Sequence, residues 1–247
     1  MVTGYIVPHA PVLVAASPAE RPSLHLGAAL RVLVQDPPDL VVICSPHGST
    51  TGVYASASGD LAGHGLPDVA TRREVSPSSE VLASAWSRPL ITDPADHGIV
   101  VPVALAAIPD GTEVVACCLE EWTGQDERSA STAIEAGASL AEALKLAFEG
   151  RKVAYVASAH GSAALSPRAP LTERPEGIEL ERRLHAAFLS GVEQLSGIGA
   201  AEWEEAGCCG AGPLIALAHL VRGPAELLAY DAPFGVGYFA ARWTGSA

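Results

Sequence analysis

Basic side chains are scarce. Lys and Arg number 15 against 28 Asp and Glu, a formal net charge of −13. A chain this acidic lacks the positive surface that nucleic acid or an anionic membrane requires, so neither is an expected partner. Long apolar runs are lacking too. The longest clean one, Ile99 to Ile108, is too short to cross a bilayer. No basic stretch followed by an apolar one opens the chain, so no signal peptide is read and the cytoplasm is the expected compartment. The 5 cysteines include two adjacent pairs, Cys117-Cys118 and Cys208-Cys209, a pattern that does not form a disulfide framework. No Ser/Gly-rich linker, charge run, internal repeat or low-complexity tract divides the 247 residues. One domain over 1–247 is therefore expected.

What is present is organised around Leu40-Val41-Val42-Ile43-Cys44-Ser45-Pro46-His47-Gly48. This β-branched run has no polar alternation and reads as a strand buried on both faces. Pro46 and Gly48 stop it, which leaves His47 at the strand's carboxyl end. A similar arrangement opens the chain, where a strand over Val2 to Val7 leads into Pro8-His9-Ala10-Pro11. Helical spacing of Leu24, Leu26, Leu30 and Leu33 predicts a helix over Glu20 to Val34 between them. This β-α-β order makes the two strands parallel, adjacent or nearly so, with both histidines at one edge of the sheet. Neighbouring strands lie about 4.8 Å apart, so the two imidazoles could reach one ion.

Further along, a weakly alternating segment, Thr51 to Ser58, reads as an edge strand or hairpin, and Gly59 to Arg73 as a polar loop. Ser76-Pro77-Ser78-Ser79 caps a short helix to Trp86. Ile99 to Ile108 is helical if Pro102 falls in its first turn, which puts His97 at a helix amino terminus. Strands are expected over Glu113 to Leu119 and Lys152 to Ala157, with His160 in the loop after the second. Helices are expected over Ser129 to Phe148, Glu176 to Leu189 and Pro213 to Val221, and final strands over Glu226 to Tyr230 and Val236 to Trp243. The fold class is α/β: a central sheet, largely parallel or mixed, flanked by helices on both faces.

Three strand ends with a histidine, plus a helix start with two cysteines, converge in this scheme on one sheet edge. Neutral imidazole suits zinc, iron, copper and nickel. Cys208 and Cys209 precede a helix amino terminus, where the dipole favours thiolate. Cys209 is read as packing, His219 as core, and His25, His64 and His185 as surface residues.

Four landmarks carry a resemblance: Pro8-His9-Ala10-Pro11, Ser45-Pro46-His47-Gly48, Asp96-His97-Gly98 followed by Val101-Pro102-Val103, and Pro233-Phe234-Gly235-Val236-Gly237-Tyr238. In this order and spacing, end to end, the chain resembles the class III extradiol ring-cleavage dioxygenases. That superfamily includes the LigB-type catalytic subunits, and the Memo proteins are related to it. The resemblance implies that His9 and His47 bind non-haem Fe(II), with Zn(II) as the alternative. It also implies that His97 lies beside substrate and dioxygen. The family's third ligand is a glutamate in a sequence like AGECG. Ala206-Gly207-Cys208-Cys209-Gly210 places Cys208 there, with Glu204 and Glu205 as nearby substitutes. Where the family carries its acid/base histidine this chain has Ala163, and His160 stands at the position of an upstream aspartate.

The implied function is a metal-dependent oxidoreductase that opens a small aromatic diol with dioxygen, with His97 and His160 as catalytic candidates and His9, His47 and Cys208 as metal ligands. The alternative is a Memo-like metal-binding protein without dioxygenase activity, whose cleft takes a small ligand or partner. A third reading is a zinc hydrolase on the same ligands. Assembly as a homo-oligomer is left open.

Overall fold

A computed structural model of the chain describes residues 1–15, 37–106, 108–109, 111–121 and 129–245. The helix expected over 20–34, and His25 with it, lie outside the described residues. Ten strands are described: β1 (Val2–Val7), β2 (Leu40–Gly48), β3 (Gly52–Tyr54), β4 (Gly59–Leu61), β5 (Leu66–Thr71), β6 (Leu90–Ile91), β7 (Glu113–Glu120), β8 (Val153–Ser158), β9 (Glu226–Asp231) and β10 (Tyr238–Trp243). Six α-helices accompany them: α1 (Pro77–Trp86), α2 (His97–Leu105), α3 (Ala130–Ala147), α4 (Pro175–Ser190), α5 (Ala200–Glu205) and α6 (Ala211–Leu220).

Eight strands form one mixed sheet in the order β6-β3-β7-β2-β8-β1-β10-β9. The middle four, β7-β2-β8-β1, are mutually parallel, while β3, β10 and β9 run antiparallel to their inner neighbours. The α/β class, with a mixed sheet flanked by helices, is therefore as expected. β1 and β2 are parallel, with β8 between them.

The unbroken apolar run of β2 is explained by cover on both sides. Leu40, Val42 and Cys44 pack into one core with Leu82 of α1, Leu140 of α3, Leu184 of α4 and Leu217 of α6. Val41 and Ile43 pack into a second core with Ile99, Val100 and Val103 of α2. Side chains alternate across the pleat, so a strand covered on both faces needs apolar residues at every position. Helices α3 and α6 meet through glycines. A Cβ on Gly137 would fall 2.2 Å from the Gly212 carbonyl oxygen, and one on Gly212 would fall 2.1 Å from Leu119 Cδ1. That approach seats the start of α6 against the sheet.

Three expectations are corrected. The strand within 51–58 is not an edge strand, because the short β6 pairs outside it. The segment 59–73 is not a loop but the β4–β5 hairpin, a separate two-stranded sheet turned at Gly65 with φ of 76°. Its polar, glycine-bearing composition conceals the pairing from a periodicity reading. Helix α2 begins at His97, so Pro102 lies in its second turn. The proline has no N–H for the Gly98 carbonyl. That carbonyl accepts instead from Ser158 Oγ at 2.6 Å, which ties α2 to the end of β8. Among the described residues, no helix is long and apolar enough to cross a membrane.

At the opposite edge, Ser76 precedes α1 as expected but makes no side-chain cap. Its hydroxyl donates to Glu113 Oε1 at 2.6 Å, and the same oxygen accepts from the Ser78 N–H at 3.0 Å. Glu113 Oε2 pairs with Arg151 at 2.9 Å. Burial works against the carboxylate, yet the hydrogen bonds from Ser76, Arg151 and Ser78 hold its pKa at about 2 against an ordinary 4.5. A depressed carboxyl pKa stabilises the fold above the ordinary value and loses that contribution as pH falls through the folded value. Glu113→Gln should therefore cost about 1–2 kcal/mol at neutral pH, with the gap to wild type closing as pH drops from 4.5 towards 2. Urea denaturation across that range measures it, and a pH-independent gap would contradict it.

Candidate metal centre

The four parallel strands all end at one edge, where ligands bind in open α/β sheets. His9 lies two residues beyond β1, and His160 two residues beyond β8. Glu121 follows β7 directly, and His47 is the penultimate residue of β2. Pro46 breaks the β2–β7 ladder between Ser45 and Gly48. The freed His47 N–H donates to Ser45 Oγ at 3.1 Å, and Ser45 Oγ in turn donates to Asp96 Oδ1 at 2.7 Å. Asp96 also accepts from Tyr54 Oη at 2.9 Å and caps α2 by accepting from the Gly98 N–H at 2.6 Å. One carboxylate thus fixes the backbone at His47 and the helix start that carries His97. Gly98 allows the close approach, since a Cβ there would fall 2.2 Å from Ser45 Oγ.

The side chains converge. His9 Nε2 and His47 Nε2 are 3.0 Å apart. Cys209 Sγ, two residues before α6, lies 3.6 Å from His9 Nε2, 3.8 Å from His47 Nε2 and 3.2 Å from His160 Nε2. The His97 ring stacks 4.3 Å from that of His47, and His64 of the hairpin region lies 4.7 Å from His97, centroid to centroid. Two overlapping triads, His9-His160-Cys209 and His9-His47-His97, each bring three donor atoms within 4.8 Å of one another.

These separations fit a shared cation. With bonds of about 2.05 Å to nitrogen and about 2.3 Å to sulfur, tetrahedral angles set N···N near ~3.3 Å and N···S near ~3.6 Å. The observed 3.0, 3.6 and 3.8 Å among His9, His47 and Cys209 lie close to those values. His9 is 3% exposed, and its Nδ1 has no hydrogen-bond partner among the described residues.

Electrostatics separates the groups. Burial would raise the Cys209 thiol, but the charges of His160, His9 and His47 drive its pKa well below the ordinary value. Burial would lower His47, yet the Cys209 sulfur and the Glu121 carboxylate raise it to about 10. Burial holds His9 down, with the neighbouring imidazoles adding to it against Cys209. His97 is pushed to about 3, first by burial and then by the charges of His47, His9 and His64. His160 is raised: burial opposes the change, but Cys209 and the Gly161 carbonyl outweigh it. His160 Nδ1 donates to that carbonyl at 2.7 Å, which leaves Nε2 facing the sulfur.

The structure brings together His9, His47, His97 and His160, but it turns Cys208 away. Cys208 is fully buried in the core, its Sγ donates to the His160 carbonyl at 3.1 Å, and burial pushes its thiol well above the ordinary pKa. The cysteine at the cluster is Cys209, which sequence reasoning read as packing. Gly207, at φ of 61°, reverses the chain after α5, and the next two side chains then point to opposite sides. The glutamates considered as substitutes stand elsewhere: Glu204 caps α3 by accepting from the Ala130 N–H at 2.8 Å, and Glu205 is exposed. Ala163 packs in the second core. Glu121 and the His64–His97 contact were missed, since a carboxylate just past a strand has no distinctive spacing.

No known family model and no curated protein matches this sequence. Among solved structures, the chain is similar to the crystal structure of the uncharacterized protein JW3007 from Escherichia coli K12. The TM-score is 0.63 and the identity 16%, over 98% of this chain and 100% of that one. The likeness shows a shared fold.

In metal-free protein at pH 6, iodoacetamide should alkylate Cys209 at least about tenfold faster than Cys208, because thiolate is the nucleophile and Cys208 is sealed in the core. Peptide mass mapping measures this. Equal labelling of the two would contradict the assigned orientations.

Proposed function

We propose that this protein is a metal-dependent oxidoreductase on a LigB-like scaffold, with one transition-metal ion held by His9, His47 and Cys209. The observation that supports it is the meeting of Cys209 Sγ with two Nε2 atoms, at 3.6 and 3.8 Å, from strands separated in sequence. A thiolate and two imidazoles leave coordination positions open to a small ligand and suit iron or zinc. The bound cation would supply Lewis acidity towards a diol oxygen and, as Fe(II), redox capacity towards dioxygen.

The chain's own residues supply the rest. His160 holds its Nδ1 proton on the Gly161 carbonyl, so Nε2, which faces Cys209 Sγ at 3.2 Å, would be the nitrogen to take a hydroxyl proton from an aromatic diol once a cation holds that sulfur. His97 stays uncharged at neutral pH and offers a hydrogen bond beside His47 without adding positive charge. Glu121 holds the far side of the His47 ring.

A second reading, a Memo-like metal-binding protein without ring cleavage, is favoured by the sulfur itself. A thiolate beside dioxygen is open to oxidation. The two readings separate on one series of measurements. Protein from iron- and zinc-supplemented cultures should carry about one metal ion per chain by elemental analysis. His9→Ala, His47→Ala and Cys209→Ala should each weaken metal binding by at least about tenfold, while Cys208→Ala retains it. Anaerobic loading with Fe(II), then catechol and oxygen, should give a yellow ring-opened product. Metal without product would leave the second reading, and a wild-type chain that binds neither metal would overturn both.

A further inference from the structure

The imidazoles at this centre differ in what holds the nitrogen turned away from it. His47 Nδ1 lies 3.1 Å from Glu121 Oε1. His160 Nδ1 is on a neutral carbonyl. His9 Nδ1 has no hydrogen-bond partner among the described residues. A carboxylate on the remote nitrogen of a ligating histidine fixes its tautomer, aims the ring and increases its basicity as a donor. A carbonyl fixes the tautomer with less effect on basicity, and an unheld nitrogen does neither.

Glu121 otherwise reads as an ordinary surface acid, with a side chain 49% exposed. Exposed ion pairs contribute little to stability. Its place in the fold argues for more. It is the first residue past β7, the parallel neighbour of β2, and its N–H donates to the Gly48 carbonyl at 2.9 Å. Its backbone is therefore pinned one residue from His47, where the ladder resumes with Gly48 opposite Glu120 after the break at Pro46. The side chain meets the imidazole from outside the cluster, opposite to His9 and Cys209.

We propose that Glu121 is a positioning residue for metal binding: it holds His47 with Nε2 directed at the cation and makes His47 the strongest imidazole donor of the centre. The inference rests on the metal-binding reading above. It ranks the imidazole donors, with His47 ahead of His9, and it assigns the ranking to a residue that does not touch the metal.

A double-mutant cycle with Zn(II) as the probe tests it, using competition against a chromophoric chelator. Glu121→Ala should weaken Zn(II) binding by about 10- to 100-fold. Glu121→Gln keeps an acceptor for Nδ1–H and should recover part of that loss. His47→Ala should weaken binding more than His9→Ala. In the His47→Ala background, Glu121→Ala should have no further effect, because its influence passes only through that ring. A structural role would instead give additive losses. In the Co(II)-substituted protein, Glu121→Ala should also shift the visible absorption bands, since the ligand field of one donor has changed. Normal wild-type binding with an unaffected or additive Glu121→Ala variant would overturn this inference and leave the metal-binding reading standing. Failure of the wild-type chain to bind Zn(II) or Co(II) would overturn both.

Discussion

Four neighbouring strands that run the same way must end at the same edge, and the chemistry of this chain depends on that constraint. In the order β7, β2, β8 and β1 they deliver Glu121, His47, His160 and His9. Adjacent strands are about 4.8 Å apart, which matches the reach of an imidazole to a point between them. Reversing any one of these strands would send its group to the far side of the molecule, where Glu113 and Arg151 sit. Helices complete the arrangement because they return over the sheet and begin at the same edge. α2 brings His97, and the approach to α6 brings Cys209. Much of the local detail serves these two arrivals: the Gly98 carbonyl freed by Pro102 is taken by Ser158, and the Gly137–Gly212 approach brings α6 down onto the sheet.

The resulting cluster runs against the preferences of a stable core. His9 is buried with a nitrogen that has no hydrogen-bond partner among the described residues, His97 is denied its proton, and a thiol is stripped of its own. Burying such groups side by side costs free energy unless a charge is shared among them. Conflicts of this kind between local stability and placement mark functional sites. A cation between His9, His47 and Cys209 would replace the competing protons and relieve the repulsion among the imidazoles. Zinc and iron both suit the donor set that the scaffold supplies.

The part of this arrangement that depends on strand order was legible in the sequence. The β2 run announced a doubly covered strand, and Pro46 and Pro8 marked where the histidines leave the sheet. His160 was placed by the same logic, although the family pattern put an aspartate at its position. What depends on rotation by a single residue was not legible. Cys208 and Cys209 differ by one step after the left-handed Gly207, and that step decides which sulfur meets the histidines and which enters the core. Alignment to a family motif favoured Cys208 because it compared letters and not directions. The β4–β5 hairpin was missed for a related reason. Short, polar, glycine-bearing strands carry no periodicity of their own and are held by the tertiary structure around them, as Gly59 is beneath the Ala95 carbonyl.

Anomalous diffraction from crystals of the metal-loaded protein addresses the central claim most directly. A single peak is expected at bonding distance from His9 Nε2, His47 Nε2 and Cys209 Sγ, with Cys208 remaining in the core. A peak on other residues, or coordination through Cys208 Sγ, would contradict the account.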